Sequence, residues 1–219
     1  MKIIGTTANE EKLVGALAPS LRSLAVKGQV RSYRKHAVIV NEGDAGESLF
    51  VLLQGRVKAY SNDSDGREII YNVIEQGDYF AEMCIDGGPR SASIMTLEPS
   101  VCAVVGRSAV QVHLSEDPGF AQNLMSQIAR RARAATDIAR NMALLDVYGR
   151  VVVMLESQQG PARPGEPVTL MQITHQSIAS RVGASREMVS RLLKDLEKGG
   201  YIALGVKRLT LLKKLPARW

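Results

Sequence analysis

The sequence predicts an α+β chain in which a β-roll of jelly-roll type is followed by one long helix and a C-terminal winged helix-turn-helix. Three observations lead there. Glycine-bearing turns recur at short intervals between Val26 and Gly106. From Pro118 to Leu145 there is no glycine after Gly119 and no second proline, and apolar residues fall at alternating steps of three and four. Two short helical patterns, each ended by glycine, then precede a pair of strand-like runs. The expected domains are 1–116 for the roll, 117–146 for the long helix and hinge, and 147–219 for the winged helix, sizes that 219 residues accommodate.

The turns EGDAGES (42–48), QGR (54–56), SNDSDGRE (61–68), EQGDYF (75–80) and DGGPR (86–90) separate runs such as SLFVLLQGRVKAY and EIIYNVI. Short β-branched and aromatic runs between regular turns are the signature of an antiparallel sandwich or roll. Helices are expected before it, around Glu10 to Leu17, and after it, around Ala109 to Leu114. Within YFAEMCIDGGPRSAS (79–93), Arg90 and Ser91 read as the opening of a core strand, and a guanidinium entering a core requires an anionic partner. That partner is either Glu82, in an internal ion pair, or a bound anion.

In the long helix the stripe runs through Phe120, Leu124, Ile128, Ala132, Ala135, Ile138 or Ala139, Met142 and Leu145, over roughly 42 Å. It is narrow and holds small residues in mid-helix, which lets two copies approach closely. A homodimer is therefore expected, with packing on the chain's own roll as the alternative. A further helix is expected from Val147 to Ser157, then the turn-rich connector SQQGPARPGEP (157–167).

Beyond the connector, Thr174 is placed to cap a helix that Gly183 ends, and Ser185 to cap a second that Gly199-Gly200 end. Two helices joined by so short a turn form a helix-turn-helix. YIAL and RLTLLKK, joined across Gly205 to Lys207, read as a hairpin wing. In the second helix Ser185, Arg186, Glu187, Ser190, Arg191 and Lys194 are polar, while Met188, Val189, Leu192, Leu193 and Leu196 are apolar. The first turns of such a helix meet base edges in the major groove, where arginine holds guanine O6 and N7 and glutamate accepts from cytosine N4. The alternative is a solvated face with an Arg191–Asp195 pair.

Charge favours DNA. Residues 1–110 carry 12 basic against 13 acidic side chains, residues 111–219 carry 16 against 9, and residues 170–219 alone carry 10 against 3. Double-stranded DNA is the expected partner. Cys84 and Cys102 lack any CxxC or Cys/His spacing, so neither a disulfide framework nor a metal site is expected. His36, His113 and His175 are scattered, no nucleophile-base pair is visible, and no enzyme activity is expected. No signal-peptide pattern or membrane-length apolar run is present, which points to the cytoplasm.

The stretch ITHQSIASRVGASREMVSRLLKDLEKGGYI, the hinge-like LLDVYGR (144–150), the glycine pattern of the roll and YFAEMCIDGGPRSAS together resemble the cAMP receptor protein and fumarate-nitrate regulator superfamily, most closely its cAMP receptor branch. The likeness extends almost end to end. It implies that the roll binds a cyclic nucleotide through a cassette of Ala81, Glu82, Met83, Arg90, Ser91 and Ala92. Arg90 would neutralise the phosphate, Ser91 and backbone N–H groups would add hydrogen bonds, and Glu82 would accept from the ribose 2′-hydroxyl. Gly87-Gly88 would let backbone approach the ligand. Two departures stand out. Ala81 replaces the usual glycine, at a cost on the order of 1 kcal/mol if its φ is positive. Ala135 and Thr136 replace the Thr-Ser pair that contacts the purine. The expected effector is cAMP, with cGMP and cyclic di-GMP as alternatives and a ligand-independent DNA-binding regulator as a further rival.

For DNA the resemblance implies contacts from Thr174, His175 and Gln176 at the start of the first motif helix. Ser185, Arg186, Glu187, Ser190, Arg191 and Lys194 follow on the second, with Lys207 on the wing. The half-site would resemble TGTGA in an inverted pair about 34 Å apart, with RNA polymerase as a further partner. A ligand held between Arg90 of one subunit and Thr136 of the other would bias the helix leading to the hinge at Leu144 to Tyr148. The recognition helices would thereby be re-aimed. A regulatory module of an enzyme or channel is the rival reading, and the basic helix-turn-helix speaks against it.

Overall fold

A computed structural model describes residues 8–158 and 167–216. Its elements are α1 (Ala8–Gly15), α2 (Pro19–Ala25), β1 (Gln29–Tyr33), β2 (Val38–Val40), β3 (Ser48–Gln54), β4 (Val57–Asn62), β5 (Glu68–Ile74), β6 (Tyr79–Phe80), a 3-10 turn (Glu82–Ile85), β7 (Ser93–Thr96), β8 (Ser100–Gly106), α3 (Arg107–Glu116), α4 (Pro118–Leu144), α5 (Val147–Ser157), β9 (Val168–Met171), α6 (His175–Val182), α7 (Arg186–Lys198), β10 (Ile202–Gly205) and β11 (Arg208–Leu211). The chain divides into two units, Met1–Ser61 with Ile70–Ala132 and Asn62–Ile69 with Arg133–Trp219.

The roll consists of two four-stranded sheets, ordered β1-β8-β3-β6 and β2-β7-β4-β5. Strand β3, in the first of these sheets, is buried on both faces. Side chains alternate across a strand, so Leu49, Val51 and Leu53 enter one core with α1, α2, α3 and the start of α4. Phe50 and Leu52 enter the core between the sheets, where Phe50 stacks on Phe80 at 5.1 Å. Burial on both faces explains why SLFVLL shows no hydrophobic alternation. Helix α2 begins on Pro19, a favoured first helical position, and was not expected from the sequence.

Helix α4 runs over the predicted length, but its stripe has two fates. Phe120 and Leu124 are buried in the roll's core, whereas Ile128, Ala132, Ala135 and Ala139 are exposed in the single chain. Helix α5 follows from Asp146, whose carboxylate accepts from Gly149 N–H at 2.8 Å. In the second unit α5, α6 and α7 pack around Val151, Leu155, Ile178, Val189, Leu193 and Leu196. The wing has three strands, ordered β10-β11-β9, because Val168–Met171 adds to the expected hairpin. The connector SQQGPARPGEP lies largely outside the described residues.

Candidate ligand and DNA-binding sites

Strand β6 ends at Phe80, and the chain turns into the 3-10 helix through Ala81 with φ 61° and ψ 27°. The substitution of alanine for glycine thus falls on a left-handed residue, where a Cβ costs about 1 to 2 kcal/mol. Arg90 lies in a loop, not a strand. β7 begins only at Ser93, because Arg90 is spent on the 42–48 turn: its N–H donates to Asp44 O at 2.9 Å and its carbonyl accepts from Gly43 N–H at 2.9 Å. The guanidinium reaches back across the cassette, donating from Nη1 to Ala81 O at 3.0 Å and from Nη2 to Ser48 O at 2.9 Å. Gly46 makes the space, since a Cβ there would lie 2.1 Å from Arg90 Nε.

Glu82 is buried, yet its partner is not Arg90. Its carboxylate pairs with Arg131 of α4, a residue the sequence reading did not single out. Arg131 also donates to Tyr79 O at 2.8 Å. One helical turn earlier Gln127 donates to Asp78 Oδ1 at 2.7 Å, and a turn before that Asn123 accepts from the Tyr79 hydroxyl at 3.1 Å. Residues four apart share a helix face, so Asn123, Gln127 and Arg131 form one polar row that fastens α4 to the cassette. Their i, i+4 spacing was the available signal.

Met83 and Ser91 are exposed and Ala92 half-buried in the same unit. Gly87 has φ 81°, a left-handed turn conformation that favours glycine, and the flexible end of Arg107 lies beside it. Cys84 lies against Arg90, but burial raises its thiol and keeps it protonated, unlike a reactive thiolate. Ala135 and Thr136 are exposed on α4 and belong to the second unit.

In the second unit the predicted caps are formed. Thr174 Oγ1 accepts from Ser177 N–H at 3.0 Å, Ser177 Oγ accepts from Thr174 N–H at 2.9 Å, and Ser185 Oγ accepts from Met188 N–H at 3.2 Å. Gly183, at φ 61°, ends α6. Arg186, Glu187, Arg191 and Lys194 are exposed on one side of α7, and Asp195 pairs at 4.0 Å with Lys198 instead of Arg191. Ser190 departs from the expected solvent-facing row: it is half-buried, with its hydroxyl 2.8 Å from His175 Nδ1. Met188, expected on the apolar side, is 43% exposed. Gln176 folds along α6 to donate to Ser180 Oγ at 3.4 Å. Thr174, His175, Gln176, Arg186, Lys207 and Arg208 rim a cleft of about 400 Å³.

The hinge reaches the motif through Arg150. Its Nη1 donates to Leu145 O at 2.8 Å and its Nε to Val182 O, the last carbonyl of α6, also at 2.8 Å.

A roll with a polar cassette ahead of a basic winged helix defines a DNA-binding regulator that carries an effector domain. Residues 30–117 match the cyclic nucleotide-binding domain and residues 144–215 the Crp-like helix-turn-helix domain. The cAMP-activated global transcriptional regulator CRP of Pasteurella multocida is 31% identical over 200 residues, covering 90% of this chain and 96% of that protein. The cAMP-activated global transcriptional regulator Vfr of Pseudomonas aeruginosa is 33% identical over 188 residues, covering 83% and 88%. The structure of the c-di-GMP responsive global regulator CLP of Xanthomonas campestris aligns with a TM-score of 0.77 at 24% identity, over 90% of this chain and 99% of that one. The chain belongs to the CRP/FNR family of transcription regulators. Among the described residues no helix is long and apolar enough to cross a membrane.

Proposed function

We propose that the chain acts, as a homodimer and without catalysing a reaction, as a cAMP-responsive regulator whose occupied roll sets its helix-turn-helices on an inverted TGTGA-like repeat, where it meets RNA polymerase. The observation that carries the ligand half is Arg90. Its guanidinium is held by two backbone carbonyls, and among the described residues no carboxylate pairs with it. Neutral carbonyls orient a cation without cancelling its charge, which leaves the fork for an anion such as a cyclic phosphate. Glu82, oriented by Arg131, keeps carboxylate lone pairs for a sugar hydroxyl. For the dimer, the support is the exposed run Ile128, Ala132, Ala135 and Ala139 on α4.

Calorimetric titration with cAMP, cGMP and cyclic di-GMP tests the ligand. Saturable 1:1 binding of cAMP per subunit, weaker for cGMP and lost in Arg90→Leu, is expected. Preferential binding of cyclic di-GMP replaces the effector, and unchanged cAMP affinity in Arg90→Leu removes the site.

A further inference from the structure

His175 is the first residue of α6, half-buried, with Nδ1 2.8 Å from the hydroxyl of Ser190 on α7. It rims the cleft that also holds Arg186 from α7 and Lys207 and Arg208 from the wing. Burial first, then the charges of Arg186 and Lys194, lower its proton affinity, while Glu197 opposes them. The Glu197 carboxylate is itself engaged by Leu204 N–H at 2.9 Å. An imidazole among so many cations stays neutral in the free protein near neutral pH. Bringing a phosphate diester into the cleft reverses the local field, and a nearby negative charge favours the imidazolium.

Resting on the DNA-binding reading of this face, we propose that His175 and Ser190 form a proton-linked contact for a DNA backbone phosphate, so that each subunit takes up a proton when it seats on its operator. The serine suits the change of state. A hydroxyl can donate to Nδ1 of a neutral ring and, by rotating, accept from Nδ1–H of a charged one. The Nδ1 contact therefore persists through protonation, and Nε2–H remains available for the phosphate oxygen in both states. Ser190 is consequently a positioning residue for the contact, not a base reader.

The sign follows from linkage. The histidine's proton affinity is low in the free protein and higher in the complex, so operator affinity rises as pH falls between the two values and is flat outside them. Full uptake changes affinity by about tenfold per pH unit per histidine. Fluorescence anisotropy of a labelled TGTGA inverted repeat with the full chain and saturating cAMP, across about pH 5 to 8, gives the slope. Calorimetry in two buffers of different ionisation enthalpy counts the protons directly.

Wild type is expected to take up about one proton per subunit. His175→Gln should bind the operator more weakly and lose the uptake, and Ser190→Ala should reduce the pH slope while Ser190→Thr restores it. An operator carrying a neutral methylphosphonate at the contacted phosphate should abolish the uptake in wild type. Zero uptake by wild type, or undiminished uptake in His175→Gln, overturns the proposal while leaving DNA binding intact. Failure of wild type to bind any duplex at any pH overturns the DNA-binding reading of the face and this contact with it.

Discussion

In the roll, Glu82 is withdrawn from water, Arg90 is half-buried, and both are held: Glu82 by Arg131, Arg90 by the carbonyls of Ala81 and Ser48. On α7, Arg186, Glu187, Arg191 and Lys194 stand exposed, placed by a capped helix and little else. On the proposed function the contrast follows from the two anions. A small ligand offers few contacts, so each must be oriented in advance and shielded from competing water. A duplex offers a long array of phosphates and tolerates side chains that settle on contact, with affinity that salt erodes.

If that contrast holds, the largest effect belongs to the roll. Arg90→Leu should lower cAMP affinity by two to four orders of magnitude, since two charge-assisted bonds contribute about 1.5 to 3 kcal/mol each. Calorimetry reads this directly. Next comes Arg131→Gln, which leaves Glu82 buried without its cation. With Arg131 at 30% exposure, the loss should be about 2 to 3 kcal/mol of stability, below the range for a fully buried pair. Denaturant unfolding should show it even without ligand, and unchanged stability would mean that Glu82 is hydrated.

On the DNA face, Arg186→Ala or Arg191→Ala should cost about 1 to 3 kcal/mol of operator affinity and relax preference at one guanine. Selection from random duplexes tests this, and an undisturbed motif would remove the arginine from base reading. Ala81→Gly should stabilise the roll by less than about 1 kcal/mol, because relief of left-handed strain slightly exceeds the added chain entropy. A lower melting temperature would contradict it. The smallest effect is Lys194→Ala, which should weaken all sequences by a similar factor and reduce the salt slope by about one per subunit.

Helices α4 to α7 were legible because caps and periodicity are local. Thr174, Ser185 and Gly183 announce themselves within four residues of the bonds they make, and the Pro118–Leu144 pattern is long enough to average out noise. Helix α2 and strand β9, at seven and four residues, are too short to carry a period. The cassette was half legible. Arg90 and Glu82 were recognisable as charged residues in need of partners, but those partners include Ser48 and Arg131, 42 and 49 residues away. The only local sign that separates Arg131 from Arg130 and Arg133 is its place four residues after Gln127, and that spacing does not reveal what the row faces. Ser190 looked solvent-facing because helical position alone does not show that a histidine from α6 covers it.

Strand β3 adds a temporal dimension to the way Arg90 is held. Buried on both faces and paired with β8 on one side and β6 on the other, it is the segment whose amide hydrogens should exchange last, at rates that report opening of the whole roll. Ser48, whose carbonyl holds Arg90, is the first residue of that strand. Arg90 is thus anchored to the slowest-opening part of the domain. Local fluctuations that free the 3-10 turn and the Ala81 carbonyl before it would leave half of the Arg90 anchorage in place.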